Sequence, residues 1–218
     1  VGVTAPPADR VAPAATRRRQ LVIAGTCVFG AVVLGIGVAR PADSAAFYAA
    51  TVLVAAIWIA GALLADRLDG TPPRALVLGR RALVPPLLVA VAAYAFFALA
   101  SLAVRLIPPV HTALADILGH ARHGTLVLVV LVALLNGVAE EAFFRGAVFA
   151  TLPARFAVLG TTLVYAVVTA GTGNVALVLA AVVMGYLFAR QRLVAGGILA
   201  PMLTHLVWSM LMVFLLPR

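Results

Sequence analysis

Only two glutamates occur in the 218 residues, and they are adjacent, Glu140 and Glu141. Arg145 follows within the same apolar stretch, TLVLVVLVALLNGVAEEAFFRGAVF. A charged side chain at the centre of a bilayer costs roughly 2.5–3.5 kcal/mol on insertion scales, so such groups face a bundle interior or a wet cavity and are functional by default. On an α-helix Glu141 and Arg145 are i,i+4 neighbours on one face and can pair, the guanidinium being able to take a carboxylate bidentately. Glu140 points about 100° away, on a face that carries Asn136 and Phe144. Glu141 can therefore be held as a partner while Glu140 handles a proton. The alternative is an ion-pair knot that locks helices together, for which one Glu–Arg pair would suffice. The second polar intrusion is His205 in GGILAPMLTHLVWSMLMVFLL, with Ser209 one turn further on the same face. A lone histidine in an apolar helix is often a satisfied core residue, but depth links this one to the glutamates. By helical rise His205 lies ~13 Å from the inner end of its helix and Glu140 ~18 Å from the inner end of its own, so the two can meet.

The elements that must hold these groups are membrane spans. Hydrophobic residues make up 64% of the chain and charged residues 11%, against about 45–50% and 25% in soluble domains. That excess cannot be hidden in a soluble core of this size. The chain therefore reads as an all-α, polytopic transmembrane bundle. Apolar runs long enough to cross place helices at 20–39, 45–65, 82–107, 124–152, 155–171, 174–189 and 196–216, giving seven spans, or eight if a further crossing is hidden. Residues 1–19 read as a disordered basic tail. Arg17–Arg19 before an apolar run resembles a signal-peptide n-region, but the spans that follow favour an uncleaved first helix. Residues 108–123, with Pro108, Pro109, His111, Asp116, His120, Arg122 and His123, read as an amphipathic interfacial segment whose histidines are surface residues. The chain thus divides into a tail (1–19), N-terminal spans (20–107), the interfacial segment (108–123) and a core (124–216).

All 16 basic residues are arginine and the net charge is +9. With the tail inside, Arg10, Arg17, Arg18, Arg19, Arg67, Arg74, Arg80, Arg81, Arg155, Arg190 and Arg192 fall on the inner side. Arg40, Arg105, Arg122 and Arg218 fall on the outer side. This obeys the positive-inside rule and predicts a cytoplasmic N-terminus in a cell inner (plasma) membrane, with the lipid bilayer as the main partner. No basic stripe interleaves with aromatics, so no nucleic acid is expected. The single Cys27 allows no disulfide framework. Abundant Ala, Val and Arg without Lys suggests a GC-rich, bacterial source.

E-E-A-F-F-R (Glu140, Glu141, Arg145) resembles the EExxxR motif of the CPBP family, the CAAX protease and bacteriocin-processing proteins, also called the abortive-infection family. Residues 182–209, VVMGYLFARQRLVAGGILAPMLTHLVWS, resemble its closing segment, in which a helix with a Gly-Tyr pair precedes a helix bearing HxxxN. The resemblance covers roughly 124–216. It implies an intramembrane endopeptidase of the glutamate type acting on a membrane-delivered polypeptide, lipidated for some members. In that reading Glu140 activates water, Glu141 and Arg145 form an orienting pair, and His205 with Ser209 stabilises the oxyanion.

Two positions depart from the family pattern. Its FxxxH histidine is Thr169, in the stretch that begins at Tyr165, and the HxxxN asparagine is Ser209. Threonine cannot act as an imidazole base. It would sit near Glu140 and hold water by its hydroxyl, Tyr165 and Thr169 lining the substrate side. No metal or other cofactor is expected, because a catalytic zinc takes three protein ligands and Glu140 and His205 have no second intramembrane histidine beside them. The alternative reading is a non-catalytic membrane binding or immunity protein that uses the same cavity. A proton-linked transporter has less support, since no repeat is evident.

Overall fold

The computed structural model describes residues 13–68 and 84–216. These form eight helices and no strand. They are α1 (Pro13–Val38), α2 (Ala45–Leu68), α3 (Val84–Val104), α4 (Pro108–His123), α5 (Leu126–Thr151), α6 (Ala157–Ala170), α7 (Val175–Ala195) and α8 (Leu199–Leu215). Within α5, residues Glu141–Val148 form a π-helix. By length and composition α1, α2, α3, α5 and α7 can each cross a bilayer, and α6 and α8 are shorter apolar helices. The chain is a multi-pass membrane protein. Its outward faces carry leucine, valine and phenylalanine, among them Leu21, Phe29, Leu88, Leu99, Val127 and Leu163, as a lipid-facing surface requires.

Helix α1 begins earlier than hydropathy predicts. Residues 13–19 are its first turns rather than part of a disordered tail. Hydropathy locates the part of a helix inside the bilayer, whereas proline is well tolerated at a helix start and Ala and Arg are good helix formers. Arg19 is buried: its Nη2 donates to Ala147 O at 3.0 Å and lies 3.8 Å from Asp66 Oδ1, and its Nε donates to Thr151. It is a tertiary contact, not a free topology charge. Residues 1–12 of the tail, Arg10, Arg74, Arg80, Arg81 and Arg218 lie outside the described residues.

Other boundaries move for similar reasons. Arg190, Gln191 and Arg192 end the apolar run but not α7, which continues to Ala195 and stops at Gly196. Asn174 caps the start of α7, accepting from Leu177 N at 3.0 Å and donating to Ala113 O of α4 at 2.8 Å. Helix α3 ends at Val104, and Ile107, with φ −121° and ψ 89°, is held out of the helical region ahead of Pro108. Segment 108–123 is a helix with no buried residue, in keeping with an interfacial position.

Two apolar clusters frame the interior. One joins α1, α2, α5 and α6, with Trp58 stacked on Phe143 at 5.1 Å and tilted against Phe144 at 5.2 Å. The other joins α3, α7 and α8 around Ala93, Met184, Phe188 and Trp208. Helices of the predicted N-terminal and core segments thus share one interior. The π-helical stretch supplies Ala142, Phe143, Phe144, Ala147 and Val148 to the first cluster, and all eight of its residues are buried.

Candidate active site

Glu141 and Arg145 are both fully buried, at 0% exposure. Arg145 Nη1 lies 3.2 Å from Glu141 Oε1. The pairing predicted from spacing therefore forms, but through one carboxylate oxygen rather than two. The guanidinium also donates through Nη2 to Gly185 O of α7 at 3.3 Å, and lies over the rings of Tyr165 (4.7 Å) and Phe188 (5.0 Å). A hydrogen-bonded cation between two aromatic faces is held in direction as well as in charge.

The π-turn decides which groups meet. A π-segment shifts the helix register and is often found at functional sites. Two of its carbonyls receive guanidinium donors from other helices, Arg145 O from Arg192 Nε of α7 at 3.0 Å and Ala147 O from Arg19 of α1. Sequence alone gives neither arginine a role beyond topology. Arg192 sits in the polar end of α7, where charge reads as a helix terminus. Asp66 and Arg19 could have been paired from their places near the adjoining ends of two consecutive antiparallel helices.

His205 does not meet Glu140. Its Nδ1 lies 2.9 Å from Glu141 Oε1, the oxygen that Arg145 also contacts. The imidazole stacks on Phe188 at 4.7 Å and lies near Trp208 at 6.2 Å. It also packs over Gly137, where an added Cβ would meet Leu206 at 3.0 Å and the His205 ring at 3.7 Å. That glycine lets α8 approach α5 closely enough for the bond. A carboxylate only accepts, so with Glu141 ionised Nδ1 carries a proton in this contact. Nε2 is the other ring nitrogen, available for further bonding. Glu141 Oε2 is buried with no hydrogen-bond partner among the described residues.

Glu140 is half-buried and faces α6. Its Oε2 accepts from the Tyr165 hydroxyl at 2.6 Å. Phe144 packs edge-on against the same tyrosine ring at 4.8 Å, so Glu140 and Phe144 do share a neighbour. Asn136, expected on the Glu140 face, turns instead to α2 and donates to Thr51 O at 3.2 Å and to Val132 O of its own helix at 2.9 Å. Gly185 makes room on α7, where a Cβ would meet the Tyr165 ring at 3.2 Å.

Thr169 is buried one turn beyond Tyr165, and its hydroxyl donates to Tyr165 O at 2.8 Å. It makes no hydrogen bond to Glu140. Ser209 is half-buried on α8, one turn beyond His205, with no side-chain hydrogen bond among the described residues. Glu140, Glu141, Arg145, Tyr165 and His205 are thus brought together, while Thr169 and Ser209 flank them. No three His, Cys, Asp or Glu side chains gather into a metal-binding group among the described residues.

A wide cavity of 810 Å³ opens at the α4 end, lined by Arg40, Asp116, His120, His123 and Asn174, and includes none of the candidate site residues. The histidines of α4 are exposed or half-buried there; His120 lies 3.0 Å from Arg40 O through Nε2.

No curated protein and no solved structure matches the chain. Residues 122–211 do match a family model, described as type II CAAX prenyl endopeptidase Rce1-like. That stretch runs from the end of α4 into α8 and contains every residue of the cluster. Over residues 122–211 the chain is thus similar to the CAAX protease (CPBP) family that its EExxxR and closing motifs resemble.

Proposed function

We propose that this protein is an intramembrane endopeptidase of the glutamate type, cutting a peptide bond in a membrane-delivered protein or peptide. The family match supports a CAAX-type membrane protease. The observation that carries the finer reading is the division of labour between neighbouring carboxylates. Glu141 is fully buried and engaged by Arg145 and His205, whereas Glu140 is half-buried and meets only a neutral phenol. A structural knot would need Glu141 and Arg145 alone.

In this mechanism Glu140 takes a proton from water as the oxygen attacks the scissile carbonyl. The carbonyl π pair moves onto oxygen and forms a tetrahedral oxyanion. His205, fixed through Nδ1 by Glu141, donates through Nε2 to that oxyanion in its doubly protonated form, and Ser209 supports it. The proton on Glu140 then passes to the leaving amine as the C–N bond breaks. Arg145 holds the Glu141 carboxylate in place. An apolar groove of 480 Å³ between α5 and α8, lined by Leu134, Met210, Phe214 and Leu206, the residue after His205, suits an apolar segment arriving from the bilayer.

The N-terminus is cytoplasmic, the membrane is the inner (plasma) membrane, and α1–α3 form a scaffold around the core of residues 124–216. The substrate is a polypeptide, lipidated or not, and no cofactor takes part.

The test is cleavage of a quenched peptide library, prenylated and unprenylated, in proteoliposomes. The parent should cut some member, and Glu140→Gln should cut none while keeping the fold, since the amide is isosteric and uncharged. A parent protein that cuts no peptide under conditions in which an intact-motif relative does would remove the reading. One observation favours a second reading, a non-catalytic peptide binder: the Thr169 hydroxyl is bonded within its own helix, so α6 offers no second base. Peptide binding without turnover, unchanged in Glu140→Gln, is what that reading expects.

A further inference from the structure

We propose that Tyr165 is a positioning residue for Glu140, taking the place that the departure at Thr169 leaves open; this rests on the protease reading above. The hydroxyl of Thr169 is bonded to the carbonyl of Tyr165, one turn back, and does not reach the carboxylate. The hydroxyl of Tyr165 does reach it, at 2.6 Å from Oε2. A phenol donating to a carboxylate makes a short, charge-assisted bond with a fixed direction. With Oε2 fixed in this way, Oε1 is the oxygen left to accept a proton from water.

The tyrosine is itself held on three sides. The Arg145 guanidinium lies over its ring at 4.7 Å, Phe144 meets it edge-on at 4.8 Å, and Gly185 leaves the room it needs on α7. Arg145 is thereby common to both carboxylates: it contacts Glu141 directly and Glu140 through the tyrosine ring. Phenylalanine at 165 would keep the ring contacts and lose only the donor. The substitution Tyr165→Phe therefore isolates the bond from the packing.

The experiment has one readout that needs no turnover and one that does. The infrared carboxylate stretch of Glu140, located by its loss in Glu140→Gln, should move in Tyr165→Phe. As a reciprocal measurement that leaves position 165 untouched, the C–O stretch of ring-labelled tyrosine should move in Glu140→Gln. In the proteoliposome assay Tyr165→Phe should lower kcat by about ten- to a hundredfold, the range set by a hydrogen bond to a charged group. KM should stay near the parent's, since the hydroxyl is engaged by Glu140 rather than by substrate.

If neither band moves, the bond is absent and the proposal is overturned whatever the activity. If the bands move and Tyr165→Phe cleaves as fast as the parent, the positioning role is overturned. If the bands move and no protein cleaves any peptide, the protease reading falls and the Tyr165–Glu140 pairing stands.

Discussion

At the scale of single residues, the cluster separates a fully buried carboxylate held by a cation and an imidazole from a half-buried one that meets a phenol. Glu141 is fixed by Arg145 and His205 at zero exposure, so its partners are part of the fold. Arg145→Ala leaves Glu141 buried against His205 alone and removes the cation between Tyr165 and Phe188. Breaking a buried pair by deleting one partner costs about 3–5 kcal/mol, so the folded yield in detergent should drop sharply. Glu140→Gln should unfold at the parent's temperature, because Glu140 is half-buried and an amide can still accept from Tyr165. Thermal unfolding of the two purified variants checks this, and equal losses in both would favour an ion-pair knot without chemistry. The EExxxR spacing by itself makes the Glu141–Arg145 pair legible. It could not assign His205 to Glu141 rather than to Glu140, because helical rise gives depth and says nothing of rotation about each axis.

At the scale of elements, the π-helical stretch Glu141–Val148 sets the site's register. Arg192 supports it by donating to Arg145 O and lying over the ring of Phe149 at 5.4 Å. Arg192→Met keeps much of the side-chain volume and leaves that carbonyl without its donor, at a cost of about 1–3 kcal/mol. Amide exchange across 141–148 should accelerate more than exchange in α2 or α3. At the other end of α5, the loop before α2 provides a clamp. Asp43 Oδ1 accepts from Thr125 N at 3.0 Å, Thr125 Oγ1 at 3.1 Å and the Tyr48 hydroxyl at 3.1 Å. A carboxylate at a helix N-terminus is favoured by the amides that point at it. The Thr125 amide first, then the two hydroxyls, hold the Asp43 carboxyl below the usual carboxylate range. A lowered folded value means that the clamp stabilises fully above the ordinary range, near pH 4, and fades as pH falls through the lowered value. Asp43 has φ 62°, which asparagine also tolerates. Asp43→Asn should therefore keep the loop and flatten the acid limb of stability, read as thermal midpoint against pH. Nothing in the local sequence announces this clamp, since Asp43 and Thr125 are 82 residues apart.

At the scale of the whole molecule, the arginine distribution predicts a cytoplasmic N-terminus and, with seven crossings, an outer C-terminus. Reporter fusions at Ala5 and after Arg218 should fall on opposite sides; the same side for both would mean an even number of spans. The helical bundle and its approximate spans were determined by the sequence alone, because in a bilayer backbone groups must be satisfied within each segment, and composition then leaves little choice but helices. The residues of the polar cluster are legible for the same reason: charge inside an apolar run is expensive, so Glu140, Glu141, Arg145 and His205 stand out by cost. Other features needed the tertiary structure. The start of α1 and the burial of Arg19 depend on Asp66, Thr151 and Ala147 of other helices. The pairing of His205 with Glu141 depends on the close approach allowed by Gly137. The engagement of Glu140 by Tyr165, while Thr169 turns to its own helix, depends on the rotation of α6 about its axis. A sequence fixes which residues share a face of one helix, whereas the angle at which each helix presents that face is set by packing among several helices.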